Sequence, residues 1–415
     1  MLPLVSNALN QPVCKEGGWL SGLCASLLTR NEIDLSVCFP YGKGETVLSG
    51  RTGRLFYYGF GESENKGEFF KTILHSIVPD IIHIWGTEFK HTLDMVNAAE
   101  QCGMLDRVVI NIQGLVSIIG KYHYYCGIPE HVCKSPSLIE RKYHMSIEND
   151  RRGFIASGVY EIEAIRKVKH VIGRTDWDEA CTKQINPSVH YHHCNESLRS
   201  SFYENRWSID FCEKHSIFTS ASHYPIKGFH LMLEAMPLIL QRFPDTHLYT
   251  TGREPRKPDG WKYYINYNSY PRYLRKLLDK NGLNENVSFL GALYEKQMCE
   301  RYLKSNVFVS PSSIENSSNS ICEAMLLGLP IVSSDVGGVK SLLIHEKEGY
   351  LYQQDAPYML AYYVCKVFED NDRAVEMGAH AREHALKTHD RDKNLRDMID
   401  IYELVLGYAA DMNNR

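Results

Sequence analysis

Apolar and polar positions along this chain alternate in two rhythms. Short runs of β-branched and other apolar residues are each followed by a longer stretch in which apolar side chains recur every three or four positions. The first rhythm predicts buried strands and the second amphipathic helices. Strands are expected at residues 35–39, 81–85, 108–112 and 170–173, and in a second series at 217–220, 247–250, 287–290, 307–309 and 331–333. A short first strand is expected at residues 1–6. Helices are expected at 19–29, 154–167, 229–242, 270–280 and 295–304. Continuous apolar strands separated by helices imply parallel sheets covered on both faces. Two such series imply an α/β protein of two Rossmann-like, doubly wound domains.

The break between the series falls at residues 190–200, where polar residues follow Asn186 and Pro187. The expected domains are therefore residues 1–195 and 196–392. A last helix at 394–408 carries Leu395, Met398, Ile399, Tyr402, Val405 and Leu406 on one face, and the segment 393–415 is expected to pack back on the first domain. The length of 415 residues agrees with a division, since single cores stop growing at about 250–300 residues. In open parallel sheets ligands bind beyond the carboxyl ends of the strands. The loops at those ends are where chemistry is to be sought.

Composition narrows the function without choosing it. With 44% hydrophobic and 23% charged residues the chain has an ordinary globular make-up. A formal net charge of −4 lacks the basic excess of a nucleic-acid binder. No apolar run approaches the roughly 18–20 residues of a membrane span, and residues 1–11 lack a signal-peptide pattern. The expectation is a cytoplasmic protein whose contact with a membrane, if it makes one, is peripheral at the inner face. The twelve cysteines are dispersed from Cys14 to Cys365 without a CxxC pair, so a reducing compartment is expected rather than a disulfide framework.

The most informative segment is VFVSPSSIENSSNSICEAMLLGLP, residues 307–330. It runs from an apolar strand through a Ser/Asn-rich loop into a helix. Glu315 and Glu323 are separated by seven residues, which on a continuous helix would set them roughly 80° apart around the axis. The loop favours another geometry, with Glu315 ahead of the helix, Glu323 in its first turns, and Asn319 or Ser320 as the N-cap. Free backbone N–H groups and the positive helix end would then stand beside Glu315, ready for a diphosphate. Glu323 could accept hydrogen bonds from ribose hydroxyls.

This segment resembles the E-x7-E signature of the family 4 retaining glycosyltransferases, including the following EAMLLGLP (323–330) and SDVGG (334–338). The resemblance implies the GT-B fold, in which two Rossmann-like domains face a central cleft. It also implies that Glu315 contacts the transferred sugar and Glu323 the nucleotide ribose, while Asn316, Ser317, Ser318, Asn319 and Ser320 supply donors to the sugar and diphosphate. Lys227, in the loop after the first strand of the second series, is expected on the departing diphosphate. A second basic residue of the family pattern is replaced by Ser222, and Arg253 is the candidate substitute. Gly17 and Gly18 (within EGGWLSG, 16–22) would face the donor phosphates, and the loop bearing Leu293 the nucleotide base. Gln113 stands where many family members carry a His near the reacting carbon. An amide cannot transfer a proton, so Gln113 can orient substrate but cannot be a general base.

Other signals weigh less. Asp176/Asp178 and Asp390/Asp392 both match D-x-D, a metal–diphosphate motif of a different glycosyltransferase fold, but Asp178 reads better as a first-turn helix acid. The run HYHHC (190–194) matches no zinc spacing and reads as a domain linker. The run KYHYY (121–125) reads as a folded loop of packed tyrosines, with an acceptor groove or membrane contact as the alternative. The expectation is thus a hexosyltransferase-type enzyme with catalytic Glu315 and Lys227 and no metal or cofactor. Its donor is a nucleotide sugar, UDP-linked by preference, and its acceptor a glycan or lipid-linked glycan of cell-surface polysaccharide synthesis. A GT-B sugar-nucleotide epimerase and a non-catalytic sugar-nucleotide-binding protein are the rivals.

Overall fold

The computed structural model describes residues 3–10, 18–42, 48–61, 66–134, 136, 138–255 and 269–413. Its strands are β1 (Ser36–Pro40), β2 (Leu48–Thr52), β3 (Leu55–Phe60), β4 (Ile82–Trp85), β5 (Val108–Asn111), β6 (His170–Gly173), β7 (His190–His193), β8 (Ser216–Thr219), β9 (His247–Thr250), β10 (Val287–Phe289), β11 (Val307–Ser310), β12 (Ile331–Ser334) and β13 (Tyr350–Tyr352). They form three sheets, ordered β1-β3-β2, β4-β5-β6-β7 and β10-β9-β8-β11-β12-β13. The last two are wholly parallel.

The six-stranded sheet is doubly wound. From β8 the chain adds β9 and β10 on one side, then crosses to add β11, β12 and β13 on the other. The switch point lies between β8 and β11, whose register pairs Ile217 with Val307 and Phe218 with Phe308. Phe218, Tyr302 and Phe308 are fully buried and pack ring against ring beneath it. The order of strands therefore puts the loops after β8 and β11 side by side, where such sheets bind ligands.

The amino-terminal part departs from the expectation in its details. Residues 3–8 form a helix, not a strand. Val5 is fully buried there, and a short apolar run gives the same pattern for either element. The strands of this part are shared between two sheets, and β2 runs antiparallel to β3. The HYHHC run is not a linker. Its residues 190–193 are strand β7, paired in parallel with β6. Its polar composition fits a strand at the edge of its sheet, with half-buried and exposed side chains.

The helix Arg391–Asn413 lies on the β4–β7 sheet. Met398, Ile401 and Val405 share a cluster with Val109, Ile172 and Cys194, and the Tyr402 hydroxyl is 2.7 Å from His83 Nδ1. The buried face includes Ile401 and Ala409, whereas Leu406, expected inside, is exposed. A second excursion ties the halves together. Ile119, Tyr124, Ile128, Cys133 and Ile147 share a core with Phe229, Met232 and Tyr270. In the same excursion, Glu140 accepts from Ser269 Oγ at 2.5 Å and pairs with Arg272 at 2.7 Å. The KYHYY tyrosines divide accordingly, with Tyr124 buried and Tyr122 exposed.

Val405→Ala should lower the urea unfolding free energy by about 1–3 kcal/mol, because a fully buried side chain is truncated. Leu404→Ala, on the exposed face, should change it by less than about 0.5 kcal/mol. Equal losses would mean that the helix docks by another face.

Candidate active site

Three loops at the carboxyl ends of β8, β11 and β12 meet by bare backbone. Gly228 ends the turn Pro225–Lys227 at φ 68°, and a Cβ there would collide with the carbonyl oxygen of Pro311. Gly337 at φ 51° lies against the carbonyl of Glu315, and Gly338 donates its N–H to that carbonyl at 2.9 Å. A side chain at any of these positions would push the loops apart. The crossing fixes Glu315 in the loop before the helix Asn319–Leu327. Its Oε1 accepts from Lys227 Nζ at 2.7 Å and from Ser312 Oγ at 2.6 Å. Lys227 is only half-buried, so its ammonium remains open to a further anion.

The helix cap is Ser318, one residue earlier than expected, and its side chain makes no capping hydrogen bond. Cys322 N–H bonds to the Ser318 carbonyl, and the N–H groups ahead of it in the first turn lack partners within the helix. Glu323 is 5% exposed, and both its oxygens are held by Arg199, from Nε and Nη2, each at 2.7 Å. Burial pushes the Glu323 carboxyl up, and Arg199 opposes that rise.

Residues 316–320 do not all point one way. The Asn316 amide oxygen accepts from Thr175 Oγ1 at 2.7 Å, and its nitrogen lies 3.4 Å from the Gln113 carbonyl oxygen. This residue therefore ties the loop after β11 to the loops after β5 and β6. The Asn319 side chain hydrogen-bonds Glu196. Ser320 Oγ accepts from Ser220 Oγ at 3.2 Å. Ser317 is half-buried and Ser318 buried. Gln113 donates its amide to Asn111 Oδ1 and Glu196 Oε1 at 2.9 and 2.7 Å. Glu196 in turn pairs with Arg174 at 2.7 Å, and both are buried. Burial pushes the Glu196 carboxyl up against the opposing pull of Arg174.

Ser222, at the position of the missing basic residue, is fully buried, and its hydroxyl donates to the Thr251 carbonyl at 2.8 Å. Gly252 packs on it so closely that a Cβ would meet Ser222 Oγ. A longer side chain would have to displace that loop. Arg253 follows at once and is exposed. Leu293 is half-buried in the loop after β10, which is held to the Arg253 loop by the Gly252–Gly291 bridge. Gly18 opens the helix Gly18–Leu28, and Gly17 lies outside the described residues. Among the described residues no group of three His, Cys, Asp or Glu could hold a metal ion. Asp178 is buried in the first turn of the helix Asp176–Ile185, completes a capping box with Thr175, and accepts from the N–H groups of Arg174 and Thr175.

Sequence reading missed Arg174 and Glu196, which pair across strand β7, and Arg199, whose partner Glu323 is 124 positions away. It also missed two carboxylates packed at the ends of β4 and β5, Glu88 from the loop after β4 and Glu161 from the helix Ile147–Lys167. Glu88 takes hydrogen bonds from the N–H groups of Thr87, Glu88 and Gly114 and stands over Gly86, where a Cβ would strike it. Burial pushes its carboxyl up. Glu161, fully buried, accepts from Thr87 Oγ1, Val116 N, Ser117 N and Ser117 Oγ, at 2.7, 3.0, 2.9 and 2.5 Å. It thereby locks the loops after β4 and β5 together. A charged residue directly after a strand was the available signal for Arg174.

Known proteins resemble this chain at three levels, family profile, architecture and curated sequence. Residues 202–384 match the profile of the family described as glycosyl transferases group 1. Structures sharing the architecture include sucrose-phosphate synthase from Thermosynechococcus elongatus, with TM-score 0.69, 16% identity and coverage of 94% of this chain and 93% of that one. Anabaena HepE in complex with UDP-glucose gives TM-score 0.59 and 16% identity, covering 81% of each chain.

The fold is GT-B.

Within it, the switch point between β8 and β11 belongs to the matched half. Curated relatives cover less. The D-inositol 3-phosphate glycosyltransferase of Corynebacterium urealyticum is 23% identical over 177 residues, 43% of this chain and 40% of that protein. The GDP-mannose-dependent alpha-(1-6)-phosphatidylinositol monomannoside mannosyltransferase of Mycobacterium tuberculosis is 26% identical over 166 residues, 38% of this chain and 40% of that protein. The chain thus matches about two fifths of the length of these relatives.

Burial is the leading influence on Glu161 and pushes it up to about 6. The folded state therefore holds more protons than the unfolded one between pH 4.5 and about 6. Stability from this group rises as pH falls through that window, and its penalty is complete above it. On moving from pH 7.5 to 5.0, wild type should gain about 1–2 kcal/mol in urea unfolding free energy relative to Glu161→Gln. An identical pH response would show that the carboxylate is not held against its charge.

Proposed function

We propose that this chain is a retaining glycosyltransferase of the family 4 type, moving a sugar from a nucleotide-sugar donor to a glycan or lipid-linked glycan acceptor in cytoplasmic assembly of cell-surface polysaccharide. The observation that carries the reading is the placement of Glu315. It is anchored by Lys227 and Ser312 directly ahead of a helix N-terminus at the switch point of a parallel sheet. Glu315 would take the hydroxyls of the transferred sugar. The diphosphate would lie on the first-turn N–H groups, with Lys227 as its counter-charge.

In transfer, an acceptor hydroxyl forms a bond to the anomeric carbon as the bond to the diphosphate breaks, and its proton passes to a phosphate oxygen. The site's contribution is to hold the two reactants together and to stabilise the departing charge. No metal or cofactor is part of this proposal. A UDP-sugar is the favoured donor, in line with the UDP-glucose named in the HepE structure. One observation supports a second reading, sugar-nucleotide epimerisation: Glu88 gives this side of the molecule a carboxylate with raised proton affinity. Product analysis without acceptor separates the two, since an epimerase converts its donor without releasing nucleotide.

Nucleotide release should be seen with one member of a panel of UDP-, GDP- and ADP-sugars. It should fall by about 100-fold or more in Glu315→Ala whose melting curve matches wild type. Release undiminished in the folded variant would remove Glu315 from the chemistry. Arg253→Ala should weaken donor binding as much as Lys227→Ala, by about tenfold in Kd. A silent Arg253→Ala would leave Lys227 as the phosphate cation of this proposal.

A further inference from the structure

The segment joining the two sheet systems, residues 195–199, reaches the helix Asn319–Leu327 twice. Glu196 meets the Asn319 side chain at its start, and Arg199 meets Glu323 in its second turn. The second contact is the more telling. The guanidinium lies with its carbon 4.9 Å from the centre of the Phe202 ring, its fork turned to the carboxylate. Two parallel N–H···O bonds fix the carboxylate plane in a way that a single ammonium cannot. They also use only one lone pair on each oxygen, and a carboxylate offers about four acceptor positions. A buried carboxylate left without its cation would take up a proton and lose acceptor positions. Paired, it carries no net charge and keeps acceptor capacity.

Resting on the glycosyltransferase reading, and on the placement of Glu323 at the nucleotide ribose that the family resemblance implies, we propose that Arg199 is a positioning residue. By clasping both oxygens of Glu323 it aims the remaining lone pairs at the two ribose hydroxyls, so that the site selects ribonucleotides over 2′-deoxyribonucleotides. The same contact ties Glu323 to the chain that joins the two halves. A buried ion pair is weak evidence for stability, so the role is read in discrimination between ligands and not in melting temperature.

The test is calorimetric titration of the full chain with UDP, GDP and ADP and with their 2′-deoxy counterparts, in wild type, Arg199→Met and Arg199→Lys. Wild type should bind one ribonucleotide about tenfold more tightly than its deoxy form. Arg199→Met should bring that ratio below about threefold while the deoxy affinity stays within about twofold of wild type. Arg199→Lys, which keeps the charge but loses the fork, should give an intermediate ratio and covers the case in which Arg199→Met does not fold. A wild-type ratio in Arg199→Lys, or an equal loss for both ligand forms in Arg199→Met, overturns the positioning role while leaving the glycosyltransferase reading intact. Wild type that binds none of the three ribonucleotides overturns that reading and this inference with it.

Discussion

Everything at this site depends on three backbones approaching without side chains between them. Gly228 lies against Pro311, and Gly337 and Gly338 lie against Glu315 and Asn316. Two of these glycines also have positive φ, a conformation that costs other residues about 1–2 kcal/mol. Because the loops after β8, β11 and β12 touch in this way, Lys227 arrives within hydrogen-bonding distance of Glu315. The motif is therefore a statement about backbone clearance as much as about carboxylates. Replacing Glu315 removes one group, whereas filling a glycine would move three loops.

Charge is organised around this crossing in matched pairs. Glu315 has Lys227, Glu323 has Arg199, and Glu196 has Arg174. The proposed diphosphate could not lie beside uncompensated carboxylates, since like charges at short range in a poorly hydrated region repel strongly. The three pairs differ in what they leave available. Lys227 is partly open and can share its charge with a ligand. Arg174 and Glu196 are closed off and hold Gln113 and Asn319 in a single network between the halves of the molecule.

How much of this was legible in the sequence follows from how local each feature is. The strands β8, β11 and β12 are buried along their length and read as apolar runs, so their positions and the loop carrying Glu315 were recoverable. Short or edge elements were not. β7 is polar and lies at the edge of its sheet among the described residues, and β13 is a three-residue Tyr-Leu-Tyr run. The helix at residues 3–8 looked like a strand because six residues are too few to separate the two periods. Among site residues, Glu315, Glu323 and Lys227 sit in contiguous motifs. Arg199 pairs with a residue 124 positions away and Arg174 with a partner reached only through the fold. Misreading residues 190–194 as a linker also hid the strand that delivers Glu196 and Arg199.

Transfer and epimerisation differ in the proton-transfer groups they require. Gln113 cannot move a proton, and its amide is already committed to Asn111 and Glu196. Glu88 can, but it is bound by three backbone N–H groups, which favour its ionised form even as burial opposes it. An epimerase must remove a proton or eliminate the nucleotide and then restore the centre, so it needs groups that cycle between protonation states. A transferase whose leaving phosphate takes the acceptor's proton needs none. Here the side chains that meet Glu315 and Glu323 are cations and a hydroxyl, suited to holding charge and not to exchanging protons. That balance favours transfer.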